Sequence, residues 1–228
     1  MGFLEDWDLS YDEINELLTD NPSLRSFVMG YAAEVKCRTM YFHGHPDVTG
    51  IYKPDDHDRT EKGDLIITYR GQRFAVEVKS IQTVSMRARK RSGRVEPFYQ
   101  CDASDRREVI FADDTSVETT ALLVGEFDVV AVNIHAFTGK WDFVFAKNED
   151  LPTMEGATRG AARNYTPYQQ QNLIRTSIAI DLDPGEPYVR DPFVLFDQII
   201  EERARGVAPV QEAVILEKED AQTVLDLR

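Results

Sequence analysis

Residues 63–80 read GDLIITYRGQRFAVEVKS, and how this stretch folds decides the rest. Two runs rich in β-branched and aromatic residues, DLIITY (64–69) and RFAVEVK (73–79), flank Arg70-Gly71, a pair suited to a two-residue hairpin turn. Such a turn sets Leu65 across from Val76 and Ile67 across from Phe74, giving one apolar face. On the other face Asp64 comes opposite Glu77, and Lys79, two residues further on, projects from the same side. Side chains directly opposed on an antiparallel pair have Cβ atoms only ~4.5–5.5 Å apart, and like charges there repel. A divalent cation turns that repulsion into binding. Two carboxylates suit Mg²⁺, with Mn²⁺ able to substitute, and Lys79 adds a positive charge for a substrate's developing negative charge. The plainer alternative is an exposed hairpin end with solvated charges. The place of Glu77 inside the apolar run FAVEVK argues against it.

Working outward, Ser10 caps a first helix, SYDEINELLTD, with Glu13 at the capping-box position. Asn21-Pro22 ends it and opens a second helix over roughly 22–42, where Leu24, Phe27, Val28, Tyr31, Val35 and Met40 fall near helical spacing. Residues 43–63 are polar and rich in Pro, Gly and Asp, which reads as a loop, and 82–98 reads as a loop or arm. Strands are expected at 127–136 and 141–147 around a Thr138-Gly139 turn, and a third at 173–182. Asp183-Pro184-Gly185 turns the chain into a helix over 192–206, stopped by Gly206. The fold class expected is therefore α/β, a mixed central β-sheet flanked by helices, in one domain over 1–206. An acidic tail follows over 207–228, whose weak patterning leaves its packing open.

The 228 residues carry a net charge of −14, which at first sight speaks against a nucleic-acid partner. The distribution qualifies this. Residues 1–20 hold seven acids and no base, whereas 86–94, MRARKRSGR, hold five bases and no acid. Arg87, Arg89, Lys90, Arg91 and Arg94 thus form a candidate phosphate-contacting arm directly after Lys79. A solvated charged loop is the plainer reading. No apolar run approaches the ~18 residues of a membrane span, and MGFLEDWDLS lacks the basic start of a secretory signal, so a cytoplasmic protein is expected. Asp6 stands where a myristoylation pattern wants Ser or Thr. Cys37 and Cys101 lie far apart in sequence and read as buried thiols.

The set Asp64, Glu77-Val78-Lys79 resembles the motif of the PD-(D/E)XK, restriction endonuclease-like nuclease superfamily: an acid on one strand, then (D/E)-X-K on its neighbour. Gly63, not Pro, precedes Asp64. The resemblance implies a restriction endonuclease-like core and a Mg²⁺-dependent deoxyribonuclease that hydrolyses phosphodiester bonds in DNA, in restriction, phage defence, or repair and recombination. It further implies that Glu34, in the helical stretch Gly30-Tyr31-Ala32-Ala33-Glu34, is a metal ligand, with an ordinary solvated glutamate or a helix pair to Arg38 as the alternative. Gln82 and His57 are auxiliary candidates. Pro46-Asp47 and Pro54-Asp55 also spell the first acid literally, and Asp55 or Asp58 is the reserve for Asp64. Cutting both strands would favour a homodimer. The rival function is a catalytically silent nuclease fold that binds DNA or assembles with a protein partner.

Other groupings are weaker. His43, His45, Asp47, Asp55, His57 and Asp58 crowd one loop, but their spacing fits no familiar zinc site. Asp102, Asp105, Arg106 and Arg107 either pair internally or line the cleft. Arg159, Arg163 and Arg175 could extend a basic surface, and Tyr165 and Tyr168 suit packing better than base stacking. There is no GxxxxGK[ST], no GxGxxG after a strand and no GxSxG, so nothing points to nucleotide-triphosphate, nicotinamide or serine-hydrolase chemistry.

Overall fold

In the computed structural model, which describes residues 2–54, 62–86, 93, 95–207 and 213–216, Arg70 and Gly71 both take positive φ, at 48° and 75°. This is the twist-matched two-residue turn of a tight hairpin. It joins β2 (Leu65–Tyr69) to β3 (Gln72–Ser80), with Leu65 opposite Val76, Ile67 opposite Phe74 and Tyr69 opposite Gln72.

In chain order, the elements before this hairpin are α1 (Phe3–Asp6), α2 (Tyr11–Asp20), α3 (Pro22–Cys37) with a π-helical extension at Arg38–Phe42, and β1 (Val48–Tyr52). After it come β4 (Phe98–Gln100), β5 (Asp102–Ile110), β6 (Ser116–Ala121), β7 (Val129–Asn133), α4 (His135–Thr138) and β8 (Phe143–Lys147). The chain then forms α5 (Pro167–Asn172), β9 (Ser177–Ala179), α6 (Pro192–Arg205) and β10 (Val214–Leu216).

Among the described residues the central sheet runs β1-β2-β3-β7-β8. β3 and β7 are parallel and the other neighbours antiparallel, so the sheet is mixed, as expected. All five residues of β7, VVAVN, are buried. Central strands covered on both faces need that continuous apolar run. Val129 and Ala131 join a core with α3 and α6, while Val130 and Val132 join one with β4 and β9. Phe42, Tyr69, Phe74, Phe193 and Phe196 fill the first core, with Phe74 and Phe196 stacked at 4.2 Å.

The helices follow their end signals. Ser10 and Glu13 complete the capping box of α2, Pro22 opens α3, and α6 stops at Gly206 in the left-handed region. Asp128 fixes α6 to the sheet. Its carboxylate accepts from the Ala75 amide at 2.8 Å and from Arg203 Nη2 at 2.6 Å.

Several elements depart from the sequence reading. The expected loop 43–63 contains β1, an edge strand bulged between Val48 and Gly50. A Cβ at Gly50 would lie 3.2 Å from Thr68 Oγ1, so a side chain there would push that hydroxyl aside by a few tenths of an ångström. The helix expected to 42 changes to π-helical geometry after Cys37. The expected strand 127–136 gives way after Asn133 to α4, and 173–182 shortens to β9, which pairs with β4 outside the central sheet. The hairpin β5–β6 was not anticipated; β10 adds to its edge, so residues 214–216 of the tail do pack. No helix among the described residues is long and apolar enough to cross a membrane.

Candidate active site

Asp64 lies one residue beyond the regular ladder. Gly63 takes φ +87°, and the Asp64 amide donates to Val76 O at 3.0 Å. The expected direct opposition of Asp64 and Glu77 is corrected in this detail. The carboxylate instead caps the strand end: the Val78 amide donates to Asp64 Oδ2 at 2.6 Å. Glu77 sits within β3 at 9% exposure, which rules out the solvated hairpin end. Lys79 Nζ lies 2.6 Å from Glu77 Oε1 and donates to Asp102 O at 3.1 Å.

All three side chains line one cleft of about 800 Å³. Its walls come from α3, the segment after β1, the β2–β3 end and the start of β5. Glu34 lines the same cleft and receives Lys53 Nζ at 2.9 Å, which makes Lys53 its partner there. α3 approaches the sheet through buried Ala33 and Cys37. Gly30 borders the cleft, and a Cβ there would meet open space.

The electrostatics follow from packing two acids and a lysine at one floor. Asp64 keeps some solvent contact along the cleft, but protein surrounds it on its other sides. Desolvation, then repulsion from Glu77, push its carboxyl well above the usual range, to about 8; Lys79 and the Val78 hydrogen bond only partly offset this. Desolvation would lower the Lys79 ammonium, yet Glu77 and Asp64 override it and hold Lys79 above its ordinary value. Desolvation likewise raises Asp102, against the attraction of Lys79.

A divalent ion suits this donor set. Hard carboxylate oxygens face an aqueous cleft, and Asp64 ionises reluctantly without added positive charge. Against that, among the described residues no group of three or more His, Cys, Asp or Glu gathers in metal-ligand fashion. The ammonium groups of Lys79 and Lys53 stand on Glu77 and Glu34 instead.

Gln82 lines the cleft, and its backbone N–H donates to Phe98 O at 2.9 Å. His57, Asp55, Asp58 and the arm residues Arg87, Arg89, Lys90, Arg91 and Arg94 lie outside the described residues. Asp47 is displaced as a first acid: it does not border the cleft and instead pairs with Arg70 at the hairpin turn, 3.1 Å away. His45 stacks on Phe193 at 3.8 Å, which makes it a packing residue. Tyr165 and Tyr168 pack on the β5–β6 hairpin, Tyr168 edge-on to Phe111. Arg107 is buried against Glu126 in a two-armed ion pair and also borders the cleft.

Sequence reasoning missed Lys53, because the strand that delivers it was read as loop. The available signal was VTGIY, a β-branched run interrupted by glycine. Comparison with family models, with curated protein sequences and with solved structures returns no match.

Proposed function

We propose that this chain is a metal-dependent endonuclease that hydrolyses phosphodiester bonds in DNA, with a PD-(D/E)XK, restriction endonuclease-like core. The observation that carries the reading is the convergence of Asp64, Glu77 and Lys79 at the floor of one cleft. Asp64 and Glu77 would hold Mg²⁺ or Mn²⁺, with Glu34 as a further oxygen donor once Lys53 moves off it. Bound there, the ion supplies Lewis-acid chemistry and makes water a better nucleophile at neutral pH. Lys79, held above its ordinary pKa, stays charged and places an ammonium beside the phosphate to stabilise the charge that develops on it. Asp102 O and Glu77 fix that ammonium in position.

The test is incubation of the purified protein with plasmid in Mg²⁺ or in EDTA. Cleavage in Mg²⁺, its loss in EDTA, and its loss in a folded Lys79→Ala variant are expected. DNA binding that persists without cleavage in either Mg²⁺ or Mn²⁺ favours the second reading, a silent nuclease fold acting as a DNA-binding or assembly module. One observation supports that reading: Lys79 and Lys53 already neutralise Glu77 and Glu34.

A further inference from the structure

The α3 wall of the cleft carries two aromatic side chains that contribute little to the core. Phe27 is 68% exposed and Tyr31 51%, and both line the cleft that holds Asp64, Glu77 and Lys79. They are four residues apart on one helix, so they share a face about 6 Å apart along its axis. Burial against the protein's own core explains neither. Lys53 Nζ lies 4.3 Å from the centre of the Tyr31 ring, which places a cation on the same ledge. Exposed rings beside positive charge in a groove are the components of a single-strand binding surface, because every base has a face to stack and a phosphate to neutralise.

The size of the cleft fits one strand held within it. The cleft's volume of about 800 Å³ falls in the range of sites that enclose small ligands, roughly 300–1,000 Å³. That is room for a few nucleotides, and a base has a free face to stack on a side chain only when it is unpaired.

Resting on the nuclease reading above, we propose that the substrate enters as an unpaired DNA strand whose bases stack on Phe27 and Tyr31 while its phosphate reaches Asp64, Glu77 and Lys79. The test is anisotropy of the full-length protein with a labelled oligo(dT) of about 12 nucleotides and with a duplex of equal length, Ca²⁺ replacing Mg²⁺. Tighter binding of the strand than of the duplex is expected. Phe27→Ala and Tyr31→Ala should each weaken strand binding by about 5- to 100-fold and leave duplex binding unchanged. Phe27→Trp should retain affinity and show quenched fluorescence when oligo(dT) binds.

Equal losses for both probes, or no loss for either, would overturn the proposal. So would a change of sedimentation state in the alanine variants, which would make the ledge a contact with a second copy. Failure of the catalytic reading is separable. Stacking losses without Mg²⁺-dependent cleavage of the oligo(dT) strand leave the strand site standing and remove the chemistry; strand cleavage that depends on Lys79 without stacking losses does the reverse.

Discussion

The carboxylate of Asp64 concentrates the tension in this molecule. Its protonation is favoured by folding, since desolvation and Glu77 raise it to about 8. An acid whose folded pKa lies above its unfolded value binds its proton more tightly in the folded state. The stabilisation is complete below the unfolded pKa, near 4, and is lost as pH rises through the folded one. A divalent ion competes with that proton, so its stabilising effect should grow over the same window. The melting temperature should therefore rise more on adding Mg²⁺ at about pH 9 than at about pH 6. Asp64→Asn should flatten this difference, and an Mg²⁺ effect independent of pH would count against a metal at Asp64. Lys79 is the other decisive residue: Lys79→Ala should slow plasmid cleavage by roughly 100-fold or more, measured with circular dichroism as the control for folding. The pairing of Glu77 and Lys79 on one face was legible in the sequence, because a two-residue turn and strict alternation leave one register. The departure of Asp64 from the ladder was not. It depends on the positive φ of Gly63 and on a carboxylate that replaces a strand carbonyl as acceptor for Val78.

Among the elements, glycines show where backbone conformation decides. Gly71 sits at φ +75°, and a Cβ there meets nothing within 4 Å, so a side chain would be strained only by conformation. Gly71→Ala should destabilise by about 1–2 kcal/mol. Gly30 has ordinary helical backbone and open space, so Gly30→Ala should stabilise by about 0.5–1 kcal/mol. Urea denaturation of the two variants checks the opposite signs. The strands that escaped the sequence reading share a cause. In β1, Gly50 and a bulge break the alternation that marks an edge strand. In β5, DASDRREVI looks like surface because a buried position is filled by Arg107, whose partner Glu126 lies 19 residues away. Helices α2 and α6 were legible because their end signals are local: Ser10 with Glu13, and Gly206.

At the scale of the whole molecule, a cleft between α3, the central sheet and the β5–β6 hairpin depends on that hairpin staying in place. Arg107 and Glu126 link it to the turn before β7, and Glu126 also accepts from the Leu123 amide at 2.8 Å. Removing one member of a buried pair strands the other charge, so Glu126→Ala should cost about 3–5 kcal/mol. Replacing both partners by apolar residues, Arg107→Met with Glu126→Leu, should cost less than the single change, as read by urea midpoints. The acidic surface sets a further constraint, since a net charge of −14 repels DNA everywhere except where ions or basic residues intervene. The most direct test of the metal-centred site is anomalous diffraction from crystals soaked in Mn²⁺. A peak between the carboxylates of Asp64 and Glu77 is the expected result; no peak there, or manganese bound only elsewhere, would contradict it.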